Sequence, residues 1–151
     1  MTIRYGIQIC HLVHIMHSTM PTPVLYLDLQ PKNLLLYKNT IKLIDFDHAV
    51  YADEAERLAE RYGTAGCAAP EQYTGDVLDG RTDIYAIGAV LHYMLTGHFP
   101  GEPVRPEQVK LSGITERRLM RLIRKCLQKE KDRRFQTAEE LEQALQKLWE
   151  Q

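Results

Sequence analysis

Two carboxylates and an amide stand out in the stretch YLDLQPKNLLLYKNTIKLIDFD, residues 26–47, where Asp28, Asn33 and Asp45 sit among Leu, Ile and Tyr. Oxygen donors of this kind suit a hard divalent cation such as Mg²⁺. A carboxylate beside such a cation can also take the proton of a hydroxyl nucleophile. The apolar runs LLLY (34–37) and IKLI (41–44) flank Lys38-Asn39-Thr40, a connection of ordinary hairpin length. Centring a three-residue turn on Asn39 pairs Tyr37 with Ile41, Leu35 with Leu43, and Asn33 with Asp45. In that register Asn33 and Asp45 share a face at the open end of the hairpin, with Cβ atoms ~5 Å apart. Asp28 falls on the loop leading into the first strand. The plainer reading of the same residues is turn and strand-end chemistry, a common use of Asp and Asn.

Such residues need a scaffold, and the rest of the sequence predicts a helical one. The chain has 151 residues, 44% of them hydrophobic, enough for one domain with a core. Its net charge of −1 gives no reason to expect nucleic acid or an anionic membrane as partner. No apolar run approaches the roughly 18 residues of a membrane span, and no signal peptide is visible. Cys10, Cys67 and Cys126 are far apart and odd in number, which predicts reduced thiols in a cytoplasmic protein.

Residues 3–17 read as a helix with an apolar face around Ile7, Cys10, Val13 and Met16, stopped by Met20-Pro21-Thr22-Pro23. His11, His14 and His17 lie on it at spacings that sweep around the helix, so they read as a solvated or partly buried face and not as a metal cluster. Asp53 and Arg57 suggest a short helix near residues 53–61. Residues 83–95 are apolar almost all round and predict the most buried helix of the domain, with Gly97 as its stop. Asp83 by itself would serve as that helix's N-cap. Residues 115–129 and 137–149 read as amphipathic helices, the second opening with a Thr137–Glu140 capping box. The sum is a mainly α domain with one short β-hairpin.

The polar residues also resemble a known family. LDLQPKN is similar to the catalytic loop of eukaryotic-type protein kinases, H-R-D-L-K-P-x-N, and DFD is similar to D-F-G. GTAGCAAPE (63–71) resembles G-T-x-x-Y-x-A-P-E. TDIYAIGAVLHYMLTGHFP resembles the family's buried central helix, and KEKDRRFQTAEEL its closing segment. The likeness is nearest to bacterial Ser/Thr kinases and covers the C-terminal lobe. It implies ATP and Mg²⁺ as cofactors and a protein Ser/Thr as substrate. It implies Asp28 as proton acceptor, Asn33 and Asp45 as Mg²⁺ ligands, Gln30 near the transferred phosphate, and Thr64 beside the substrate. Leu35 and Ile44 would floor the nucleotide site. Asp83 would anchor the catalytic loop, and Glu71 would pair with Arg134.

Several positions depart from the family pattern. Tyr26 replaces His, Leu27 replaces Arg, Gln30 replaces Lys, Asp47 replaces Gly and Cys67 replaces Tyr. With Leu27 in place and no Ser or Thr between Phe46 and Gly63, no Arg–phosphate switch is expected. The Asp47 exchange removes the freedom to take φ > 0 there. No G-x-G-x-x-G occurs, and no segment offers the strand lysine or its glutamate partner. The expectation is therefore a partial domain over residues 1–151 with the N-terminal lobe absent, supplied by an upstream segment or a separate chain, and no appreciable activity alone. Two alternatives remain at this point: a pseudokinase or kinase-remnant binding module, and a small-molecule phosphotransferase of the aminoglycoside or choline kinase kind.

Overall fold

The computed structural model describes residues 1–55, 63–103, 108–109 and 111–151. The helix suggested by Asp53 and Arg57 lies largely outside the described residues. Among the described residues four helices carry the core: α1 (Thr2–His17), α3 (Gly80–Thr96), α4 (Ile114–Cys126) and α5 (Ala138–Trp149), with a single turn, α2 (Glu71–Thr74), before α3. No described helix is long and apolar enough to cross a membrane.

Helix α3 lies at the centre. Ile84, Ile87, Ala89, Val90 and Leu91 are fully buried, which follows from the apolar pattern running round the whole helix. It starts earlier than Asp83. Asp79 is the N-cap, accepting from Arg81 N at 2.9 Å, while Asp79 N donates to Thr82 Oγ1 at 3.2 Å. That capping box satisfies the first orphan amides and leaves the Asp83 side chain free for another task. Gly97, at φ 77°, ends the helix with its N–H on Tyr93 O. Gly88 lets α4 approach closely, since a Cβ there would lie 2.4 Å from that of Cys126.

Helices α1 and α5 pack on this centre through Ile9, Val13, Leu141 and Leu145. Thr137 caps α5 by accepting from Glu140 N at 3.0 Å. Glu140 reaches one residue further back than a capping box requires, to Gln136 N at 2.9 Å. Three cysteines are free and buried.

Among the described residues the strands form two small antiparallel pairs. β2 (Leu34–Tyr37) and β3 (Thr40–Leu43) make the expected hairpin, but its register is Leu34↔Leu43, Leu35↔Lys42, Leu36↔Ile41 and Tyr37↔Thr40. The turn is two residues, not three. Lys38 (φ 46°) and Asn39 (φ 63°) are both left-handed, the geometry that matches the twist of paired strands. Asn33 therefore faces Ile44, whose N–H donates to Asn33 O at 2.9 Å, and the inferred Asn33/Asp45 pair does not form. A second pair, β1 (Val24–Leu25) with β4 (Val50–Tyr51), joins the two flanks of the hairpin and was not expected. Gln8 of α1 clamps the turn, donating to Asn39 O at 3.1 Å and accepting from Ile41 N at 2.8 Å.

Candidate active site

The loop 26–33 hangs from α3. Both carboxylate oxygens of Asp83, which is 1% exposed, accept backbone amides: Oδ2 from Tyr26 N at 2.9 Å and Oδ1 from Leu27 N at 2.8 Å. His17 Nε2 stands 2.7 Å from the same Oδ2. Gln72 Nε2 donates to Leu27 O at 3.1 Å. These bonds hold Leu27 at φ 64°, a conformation that costs a non-glycine residue of the order of 1–3 kcal/mol. The bend they impose presents Asp28 beyond it.

Asp28 is the centre of a polar cluster. Its Oδ1 accepts from Gln30 Nε2 at 2.6 Å and from Thr64 Oγ1 at 3.2 Å, and Gln30 Nε2 also donates to Thr64 Oγ1 at 2.8 Å. Its Oδ2 accepts from Asn33 Nδ2 at 3.0 Å, and the same amide donates to Asp28 O at 2.8 Å. His48 Nε2 lies 3.9 Å from Oδ2. Gln30 and Asn33 are buried, while the Asp28 side chain keeps an opening to solvent. The neutral amide of Gln30 thus spans Asp28 and Thr64, where an ammonium would have brought a positive charge.

Asp45 stands exposed two residues beyond β3 with φ 62°, a region that Asp tolerates better than most residues. Its backbone is pinned by the Tyr26 phenol, which donates to the carbonyls of Ile44 and Asp45, and Asp47 N donates to Asp45 Oδ1 at 3.2 Å. The left-handed residue in this segment is Asp45, so the loss of glycine at position 47 carries no backbone penalty here. Burial, then the carboxylates of Asp28, Asp45 and Asp83, push the Tyr26 hydroxyl well above the usual tyrosine range, keeping it a donor. The Phe46 ring meets Tyr26 edge-on at 5.4 Å. Among the described residues no three His, Cys, Asp or Glu side chains converge to hold a metal by themselves. Leu35, Ile44 and Phe46 are about half exposed.

Behind the cluster, Glu71 and Arg134 meet in a two-pronged pair at 2.6 and 2.9 Å, with both residues buried. Three residues that sequence reasoning had not placed here now join the support: His17, Gln72 and His48. Their partners lie 66, 45 and 20 positions away, so no local pattern could have shown them.

A helical domain that presents an Asp/Asn loop beside a hairpin, hung from a buried helix and braced by a Glu–Arg pair, has the make-up of a kinase-type phosphotransferase. The family model described as "Protein kinase domain" matches residues 2–151, and the chain belongs to that family. Over 138 residues it is 31% identical to the serine/threonine-protein kinase PknB of Mycolicibacterium smegmatis, covering 78% of this chain and 22% of that protein. It is 34% identical over 105 residues to serine/threonine-protein kinase A of a Synechocystis strain, covering 65% and 20%. A probable serine/threonine-protein kinase of Clostridium acetobutylicum is 28% identical over 155 residues, covering 92% and 23%. The chain thus spans about a fifth of the length of these relatives. All three are named as protein kinases, so the small-molecule phosphotransferase alternative is not favoured.

Proposed function

We propose that residues 1–151 form the large helical lobe of a Ser/Thr protein kinase catalytic domain, acting on a protein hydroxyl with ATP and Mg²⁺. The observation that carries this reading is the hydrogen-bonded cluster of Asp28, Gln30, Asn33 and Thr64 on a loop fixed to α3. Asp28 keeps an opening to solvent, through which an incoming Ser or Thr hydroxyl would approach and surrender its proton. Gln30 and Thr64 hold that carboxylate in place. The Asn33 amide nitrogen is spent on Asp28, which leaves its oxygen as a donor, and Asp45 adds exposed carboxylate oxygens. That all-oxygen set fits Mg²⁺, an ion that relies on substrate phosphates to complete its shell. Mg²⁺-bound ATP would supply the transferable phosphoryl group and the charge neutralisation it needs.

Leu35 and Ile44 are the apolar floor of the nucleotide site in this reading, and their exposure supports a covering lobe from outside residues 1–151, in the same protein or another chain. Three buried, free thiols support a reducing, cytoplasmic setting. Phosphoryl transfer rests on positioning and charge stabilisation, and the 151 residues contain no G-x-G-x-x-G loop to cover the phosphates. Residues 1–151 alone accordingly give no appreciable transfer. The test measures γ-phosphate transfer to a generic Ser/Thr protein, with and without a small kinase lobe fused upstream. Turnover is expected only with the lobe, and only when Asp28 and Asp45 are intact. Turnover by residues 1–151 alone, clearly above an Asp45→Ala control, overturns the need for a second lobe.

A further inference from the structure

The α4 helix is out of balance with the chain. Arg117, Arg118, Arg121, Arg124 and Lys125 fall within its 13 residues, although the whole chain is nearly neutral. Its acid, Glu116, is used at the helix's own start, accepting from Ser112 N at 2.7 Å and Gly113 N at 3.2 Å. Where α4 meets α5 the surface is concave, a groove of about 310 Å³ floored by Leu122, Ala144 and Leu148 and rimmed by Arg118, Arg121 and Lys147. Gln151 also lines the groove, and its side-chain Oε1 accepts from Arg118. On α5, Glu140 turns to Lys125 at 3.9 Å and Glu142 to His11 at 3.6 Å. Among the described residues, none of the three rim cations has an ion-pair partner. Like charges at i, i+3 on one helix oppose each other, so holding Arg118 and Arg121 together costs stability in the free protein.

We propose that this groove docks an acidic peptide segment, with one apolar side chain on the Leu122–Ala144–Leu148 floor and Asp or Glu carboxylates on the three cations. Shape and charge both point to that occupant. A concave apolar centre inside a charged rim is the layout of a peptide-sized contact, whereas a lipid surface would meet a convex apolar face. Carboxylates spread over several residues match three cations set apart around the rim. This site is remote from the catalytic cluster in sequence and does not depend on the kinase reading.

The experiment titrates the 151-residue chain into a fluorescein-labelled dodecapeptide of Asp and Glu with a central Leu-Phe pair, read by anisotropy. Saturable binding is expected, weakening as salt rises. The double variant Arg121→Gln/Lys147→Gln, with melting unchanged, should bind at least tenfold more weakly, and so should a peptide with Ser-Ser at its centre. Lys42→Glu, on the β2–β3 hairpin, should leave affinity within twofold. The proposal is overturned if binding is absent or unsaturable, if the double variant binds like the parent, or if the Ser-Ser peptide binds as well. It is equally overturned if anionic phospholipid vesicles capture the chain while the peptide does not.

Discussion

Gln30 shows what a single exchange does to this site. It holds Asp28 and Thr64 together as a neutral bridge, so the geometry survives while the charge is gone. Hydrogen bonds to a charged group contribute about 1.5–3 kcal/mol, and Asp28 is partly open to water. Gln30→Ala should therefore cost about 1–3 kcal/mol in urea unfolding, and an unchanged midpoint would show the bridge to be ornamental. Cys67 gives a second prediction at this scale. Burial, and then the nearby Asp28 carboxylate, push its thiol up to about 11. Below the ordinary thiol range it is neutral whether folded or not, so it adds nothing to stability at neutral pH. As pH rises above that range the unfolded chain ionises first, and stability falls until about 11. Iodoacetamide at pH 8 should label Cys67 far more slowly in the folded protein than in urea. Equal rates would sink the idea.

Among the elements, the hairpin shows where the sequence was legible and where it was not. Its existence followed from two apolar runs around a turn. Its register did not, because KNT reads equally as part of a two- or three-residue connection, and one residue's difference moves Asn33 from Asp45 to Ile44. The candidate site was therefore legible from the order of its motifs rather than from pairing arithmetic. β1 and β4 escaped notice since two-residue strands carry no periodicity. Helix α3 was plain from its apolar pattern, but the Asp79–Thr82 box that begins it was overlooked in favour of Asp83. The turn can be tested directly. A β-branched residue at Asn39 (φ 63°) should cost about 1–2 kcal/mol, whereas glycine should be neutral or better. Asn39→Val and Asn39→Gly with indistinguishable denaturation midpoints would contradict the left-handed turn.

For the molecule as a whole, the Glu71–Arg134 pair matters because of what it joins. Glu71 opens α2, just after the loop that carries Thr64, and Arg134 lies 63 residues later, between α4 and α5. All five N–H groups of the guanidinium are used: two on Glu71, and the others on Gln128 O at 2.7 Å, Arg81 O at 3.0 Å and Lys129 O at 3.1 Å. Thr82 Oγ1 adds a bond to Glu71 Oε1 at 3.1 Å, which ties the pair to the first turn of α3. One buried cation thus closes the start of α3 onto the α4–α5 connection. An exposed pair of this kind would contribute about 0–1 kcal/mol, but removing one member of a buried pair leaves the other charge stranded. Glu71→Ala should therefore cost about 3–5 kcal/mol in urea unfolding. Arg134→Lys keeps the charge but cannot reach five acceptors, so it too should destabilise, by less than Glu71→Ala. A loss below about 1 kcal/mol for Glu71→Ala would mean that the pair behaves as an exposed one and that the helices hold the loop without it.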